Sequence, residues 1–210
     1  PQAVLQVASG RDLAGIAGGV NCAGFAKWVV DGMIRPITGE GIKLSPLRDR
    51  TASPATHFTE PFRQDRDIFF ALDWSRHLAS AAASLYQGST VRPSRSGVDV
   101  TIEPFSGANG YERNVGYRAR DLKALLFWLA STEPGHLYLG AVSTERGNPL
   151  LREYHHLIVF MPFFDDEGEF SCAVFESAEE TGLDNVMTRN LDAWVHLARI
   201  RASERDRYEP

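Results

Sequence analysis

Apolar positions fall into three stretches of different spacing. Residues 1–38 have helical spacing, with Phe25, Trp28 and Val29 on one side and a break at Gly18 and Gly19. Recurrence at i, i+3 and i+4 predicts an amphipathic helix. Residues 39–118 are interrupted by Gly39, Pro46, Pro54, Pro61, Pro93 and Gly110, among others, and predict a loop-rich stretch. A helix is expected inside it over 68–86, and a strand over 98–102, where Val98, Val100 and Ile102 alternate with polar residues. Its many aromatics, Phe70 and Trp74 among them, are expected to build a small satellite core.

The pattern tightens again over 119–210. Leu122, Leu125, Leu126 and Leu129 mark one face of a helix over 122–130, which Pro134 and Gly135 end. A strand is expected over 137–142. Residues 156–164 and 170–176 read as a hairpin around Asp165, Asp166, Glu167 and Gly168, a strong turn sequence. Residues 185–201 are expected to form a closing amphipathic helix with Leu191, Trp194, Val195, Leu197 and Ala198 inward, followed by a frayed charged tail over 203–210. Helices segregated from an antiparallel sheet predict the α+β class.

Composition narrows this picture. A chain of 210 residues suits a single domain, here with 39–118 as an insertion or cap. Apolar residues make up 43% and charged residues 23%, which excludes wholesale disorder, coiled coil and collagen. The net charge of −5 leaves no basic footprint, so no nucleic-acid partner is expected. The longest apolar run, residues 157–164, is far short of the roughly 20 residues of a membrane span. Cys22 and Cys172 are the two cysteines, too few for a disulfide framework or a four-cysteine zinc site. The chain begins at Pro1 without a methionine, and a processed or trimmed start is expected.

Candidate chemistry centres on Cys22. Asn21 is suited to be a helix N-cap, which makes Cys22 the first helical residue. Unpaired N–H groups and the positive end of the helix dipole favour a thiolate there, and can bring a thiol from about 8.5 into the range of roughly 3.5 to 7.5. Ala23 and Gly24 are small enough to admit a substrate carbonyl, and N–H groups at this helix start can support an oxyanion. Taken alone, the position favours a buried packing cysteine instead.

His156 shifts that balance. It stands at the entry of an apolar strand, where it can reach towards a helix packed on the sheet, and a cysteine nucleophile needs such a base. In the expected hairpin Glu176 ends beside the start of the first strand and can orient His156, although a strand-capping surface glutamate is the simpler reading of Glu176 alone. His155 and His156 are adjacent on a strand and make a poor pair of metal ligands. Cys172 is expected to be a packing thiol, and the acidic cluster from Asp165 to Glu169 a solvated hairpin tip. His57, His77 and His196 are given no role.

These pieces resemble the NlpC/P60 family of cysteine peptidases. Asn21-Cys22-Ala23-Gly24-Phe25 resembles that family's nucleophile motif, D-C-S-G-hydrophobic. Pro134-Gly135-His136-Leu137 resembles the P-G-D-L opening of its first core strand, and His156-Leu157-Ile158-Val159-Phe160 its H-V-G-I-Y segment. Val174-Phe175-Glu176-Ser177 falls where the family has its third polar residue. The resemblance covers residues 8–38 and 119–178. It implies a papain-like core, with Cys22 as nucleophile, His156 as base and then acid, and Glu176 as orienting group. It further implies amide hydrolysis in peptidoglycan stem peptides, a bacterial periplasmic or secreted setting, and no metal or organic cofactor.

Two other functions stay open. An acyl- or amine-transferring enzyme would keep the same three residues and exclude water. A degenerate binding module would account for Asn21, Ala23 and His136 standing where the family has Asp, Ser and Asp, and for the long insertion.

Overall fold

The helical spacing around Phe25 folds as α1 (Cys22–Thr38), which ends at Gly39, a left-handed cap at φ 79° that donates to the carbonyl of Arg35. The computed structural model describes residues 21–48, 68–93, 111–112, 115–177 and 181–202. The remaining elements are α2 (Phe70–Gln87), β1 (Tyr117–Arg118), α3 (Leu122–Thr132), β2 (His136–Arg146), β3 (Leu151–Phe164), β4 (Phe170–Phe175), α4 (Leu183–Arg189) and β5 (Trp194–Arg201). Short 3₁₀ turns occupy Ser45–Arg48 and Ala119–Asp121. The expected strand at 98–102 lies outside the described residues, as do His57, residues 1–20 and the tail over 203–210.

The class is α+β. Five strands form one antiparallel sheet in the order β1-β5-β2-β3-β4. Strand alternation splits its side chains between two cores. Leu137, Leu139, Leu157 and Val159 face α1 and α2, while Tyr138, Val142, Ile158 and Phe160 face α3 and α4. Among the described residues no helix is long and apolar enough to cross a membrane. The hairpin β3–β4 turns at Asp165, whose carboxylate accepts from the N–H groups of Glu167 and Glu169.

The chain end departs from expectation. Residues 185–201 do not form one helix: α4 stops at Arg189, a turn follows, and β5 runs from Trp194 to Arg201. β5 pairs with β2 on one side and β1 on the other. Both of its faces are covered, Val195 and Leu197 in one core, Ala198 and Ile200 in the other. A strand buried on both faces carries a continuous apolar run, which periodicity alone does not distinguish from a buried helix. Leu191, expected inside, is exposed.

The loop-rich stretch also differs. Phe70 and Trp74 do not belong to a satellite core but share the first core with Cys22 and Leu157. α2 buries even Asp73, Ser75, Arg76 and Ser80. His196, fully buried in β5, meets Arg76 Nη2 through Nε2 at 3.3 Å. Burial first, and the nearby guanidinium second, push His196 down to about 3, so its ring is a neutral acceptor for the Arg76 N–H.

Candidate active site

Asn21 and Cys22 start α1 as its N-cap and first residue. The Asn21 side-chain oxygen accepts from the N–H of Gly24 at 2.8 Å, and its backbone carbonyl accepts from Phe25 at 2.9 Å. This cap fixes the direction in which the chain enters the helix, and so where the Cys22 side chain starts. Trp74 of α2 braces the same turn by donating its indole N–H to the carbonyl of Ala23 at 3.0 Å. Replacing Asn21 with alanine is expected to cost about 1 kcal/mol of stability in urea unfolding, with Asn21→Asp close to wild type. Equal loss in both variants would show that the side-chain oxygen does not act as the cap.

Of the residues expected to support an oxyanion, Gly24 donates its N–H to the Asn21 side chain and Ala23 is packed into the core. The first N–H groups of a helix have no acceptor within it.

His156 is placed by an irregularity in β3. Val142 pairs with His156 and Ser143 with Tyr154, so His155 is an extra residue in a β-bulge. Bulges of this kind re-aim side chains. Beyond it β4 has already ended, since Phe175 pairs with Val159. His156 therefore sits on a length of β3 that β4 does not cover. There its ring donates through Nε2 to Glu176 Oε1 at 2.6 Å, and the Cys22 side chain is near enough to raise its pKa.

Glu176 immediately follows β4, and its side chain is only 5% exposed. Its second oxygen accepts from Arg189 Nη2 at 2.6 Å. Burial opposes ionisation of this carboxyl, but the hydrogen bonds and charges of His156 and Arg189 hold it below the usual carboxylate range. For His156, burial lowers the pKa; the hydrogen bonds to Cys22 and Glu176, and their negative charges, outweigh it and raise it from 6.5 to about 9. The result favours an imidazolium beside the ionised Glu176 carboxylate at neutral pH.

Cys22, His156 and Glu176 thus come together, His156 hydrogen-bonded to Glu176 and influenced by the Cys22 side chain. Cys22 is 6% exposed. Cys172 lies apart on β4, packed against the second core, where burial pushes its thiol up to about 12. His155 contacts the carbonyl of Glu153 at 3.4 Å, and His136 that of Glu133 at 3.0 Å. Arg189 was invisible to sequence reasoning: no spacing singles it out among the other arginines, because a tertiary contact brings α4 to Glu176. Comparison with known protein families, with curated proteins and with solved structures finds no match for this chain.

Proposed function

We propose that the protein is a cysteine hydrolase of peptide or amide bonds, with Cys22 as nucleophile, His156 as general base and acid, and Glu176 as the group that orients the imidazole. The observation that carries this reading is the row in which His156 touches both the Cys22 side chain and Glu176. The cysteine motif and its resemblance to NlpC/P60 peptidases support peptidoglycan stem peptides as substrates, a periplasmic or secreted setting and a papain-like core.

The steps follow from the charges. With the thiol proton already on His156, the thiolate attacks the substrate carbonyl carbon. Oxyanion charge develops towards the main-chain N–H groups of the first turn. The tetrahedral intermediate collapses, the C–N bond breaks, and His156 passes its proton to the departing amine. A thioester remains. Neutral His156 then accepts a proton from water as its oxygen attacks the thioester. The C–S bond breaks, the carboxylic acid leaves, and the thiolate–imidazolium pair is restored.

Hydrolysis and alkylation of Cys22 are expected to differ at alkaline pH. Above about 9 the His156 imidazolium loses its proton, so no acid remains for the leaving amine and hydrolysis is expected to fall. Alkylation of Cys22 needs only the thiolate and is expected to persist there. Titration of the His156 ring by NMR should give a midpoint near 9. In Cys22→Ala the same titration should move down, because the largest of the raising contributions is gone.

A second reading, a binding module built on the same residues, is favoured by the 6% exposure of Cys22. Iodoacetamide labelling of Cys22, followed by mass spectrometry, separates the two. Rapid labelling well below pH 8 that is slowed by His156→Ala supports the hydrolase. An apparent pKa near 8.5 that is indifferent to His156 supports the binding module. Release of new amines from peptidoglycan fragments tests the substrate class.

A further inference from the structure

Glu176 has two carboxylate oxygens, and each is held by a different element. Oε1 accepts from His156 of β3 and Oε2 from Arg189 of α4, both at 2.6 Å. The geometry points to Arg189 as a positioning residue of the candidate active site, one that clamps Glu176 so that the carboxylate keeps the His156 ring aligned with Cys22. The inference rests on the cysteine-hydrolase reading and extends its row to a fourth residue.

The clamp is built from both layers of the fold. α1, packed in the first core, delivers Cys22, while α4, packed in the second core through Leu183 and Val186, delivers Arg189. The hairpin between them carries His156 and Glu176. α4 is held by Leu183 and Val186 in the second core; Lys123 of α3 meets Asp184 at 3.2 Å in an exposed pair, and at the end of α4 the Asn190 side chain donates to the carbonyl of Val186 at 2.8 Å. Arg189, the last residue of the helix, is therefore presented from an anchored base.

Chemistry gives the clamp a purpose. His156 alternates between imidazolium and neutral imidazole during turnover, so its charge supports Glu176 only part of the time. An arginine is always protonated. A carboxylate 5% exposed and facing a neutral imidazole alone would tend to capture a proton. With Arg189 on Oε2 the carboxylate stays ionised throughout, and the proton stays on the path between Cys22, His156 and the leaving group. Exposed ion pairs contribute little, but this one closes on a buried oxygen.

Among the described residues, His156 and Arg189 face Glu176, and Cys22 faces His156. His155 lies next along β3 and senses the charge of His156.

The test is the acid midpoint of Cys22 alkylation by iodoacetamide, followed by mass spectrometry in the full chain. Arg189→Gln is expected to raise that midpoint by about one pH unit, since Glu176 then protonates at higher pH and His156 loses its anion. Arg189→Lys is expected to recover most of the shift. In the pair Arg189→Gln with Glu176→Gln, the shift should equal that of Glu176→Gln alone, because arginine acts through the carboxylate. Arg189→Met, which keeps the aliphatic stem, repeats the measurement should Arg189→Gln not fold. A midpoint unchanged in Arg189→Gln or Arg189→Met, or shifts that add in the double variant, would overturn the inference while leaving the hydrolase reading intact. A wild-type midpoint near 8.5 that ignores His156→Ala would overturn the hydrolase reading itself, and the inference with it.

Discussion

His156→Ala is expected to lower amide hydrolysis by about 10³- to 10⁴-fold at pH 7 and to move the midpoint of Cys22 alkylation up to about 8.5. The two readouts should differ greatly in size. On the proposed mechanism His156 acts twice in hydrolysis, removing the thiol proton and then protonating the amine, and general acid–base catalysis contributes about 10² to 10⁴. Alkylation needs neither proton transfer to a leaving group nor an oxyanion site. The variant has less thiolate at neutral pH, but a thiolate of higher pKa is the better nucleophile, with a Brønsted slope of about 0.4 to 0.5. These effects partly cancel, so the alkylation rate at pH 7 should change by about tenfold or less while its midpoint shifts clearly. Hydrolysis and alkylation falling together by 10³ would mean that His156 maintains the local fold instead. Circular dichroism and urea unfolding of the same variant distinguish that case.

The second large effect lies far from the thiol. Gly116 joins the turn after Glu112 to β1, with φ at 104°, and exchanges hydrogen bonds with Glu112 at 2.8 and 2.9 Å. A Cβ placed there would lie 2.2 Å from the carbonyl oxygen of Val195 and 2.6 Å from the Cα of His196. Both are main-chain atoms of β5, a strand held on each side, so neither can swing away. Gly116→Ala is expected to destabilise the protein by about 3 kcal/mol or more in urea unfolding, combining left-handed strain with overpacking. Gly168→Ala is the control, because Gly168 also has positive φ, 80°, but open space around its would-be Cβ. It should cost only about 1 to 2 kcal/mol. Equal losses in the two variants would show that the close approach to β5 contributes nothing.

Local signals were the legible ones. Asn21 before Cys22 is a short polar residue ahead of an apolar helical pattern, and capping depends on atoms three residues apart. The turn at Asp165–Gly168 is equally local, and it sets the hairpin that brings Glu176 towards His156. The contact between these two was therefore readable from pairing direction, as was the approach of α1 to the same strand. What each residue does chemically is a separate matter, for the alkylation and NMR experiments.

The sequence by itself determined where chains of local preference begin and end: the start of α1, the place of α2, the apolar face of α3, and the β3–β4 hairpin, all within the α+β class. These depend on backbone preference and on spacing along one element, so they survive without knowledge of neighbours. Only the tertiary structure decided that residues 194–201 are a strand, because a segment covered on both faces has no polar side to reveal its period. It also decided that Asp73, Ser75, Arg76 and Ser80 lie inside, since a polar residue is buried only when another element offers it a partner or cover. The bulge at His155 and the meeting of Arg189 with Glu176 belong to the same class. Each depends on atoms distant in sequence and brought together by burial of the sheet between two helical layers, and a pattern read along the chain contains no record of such distances.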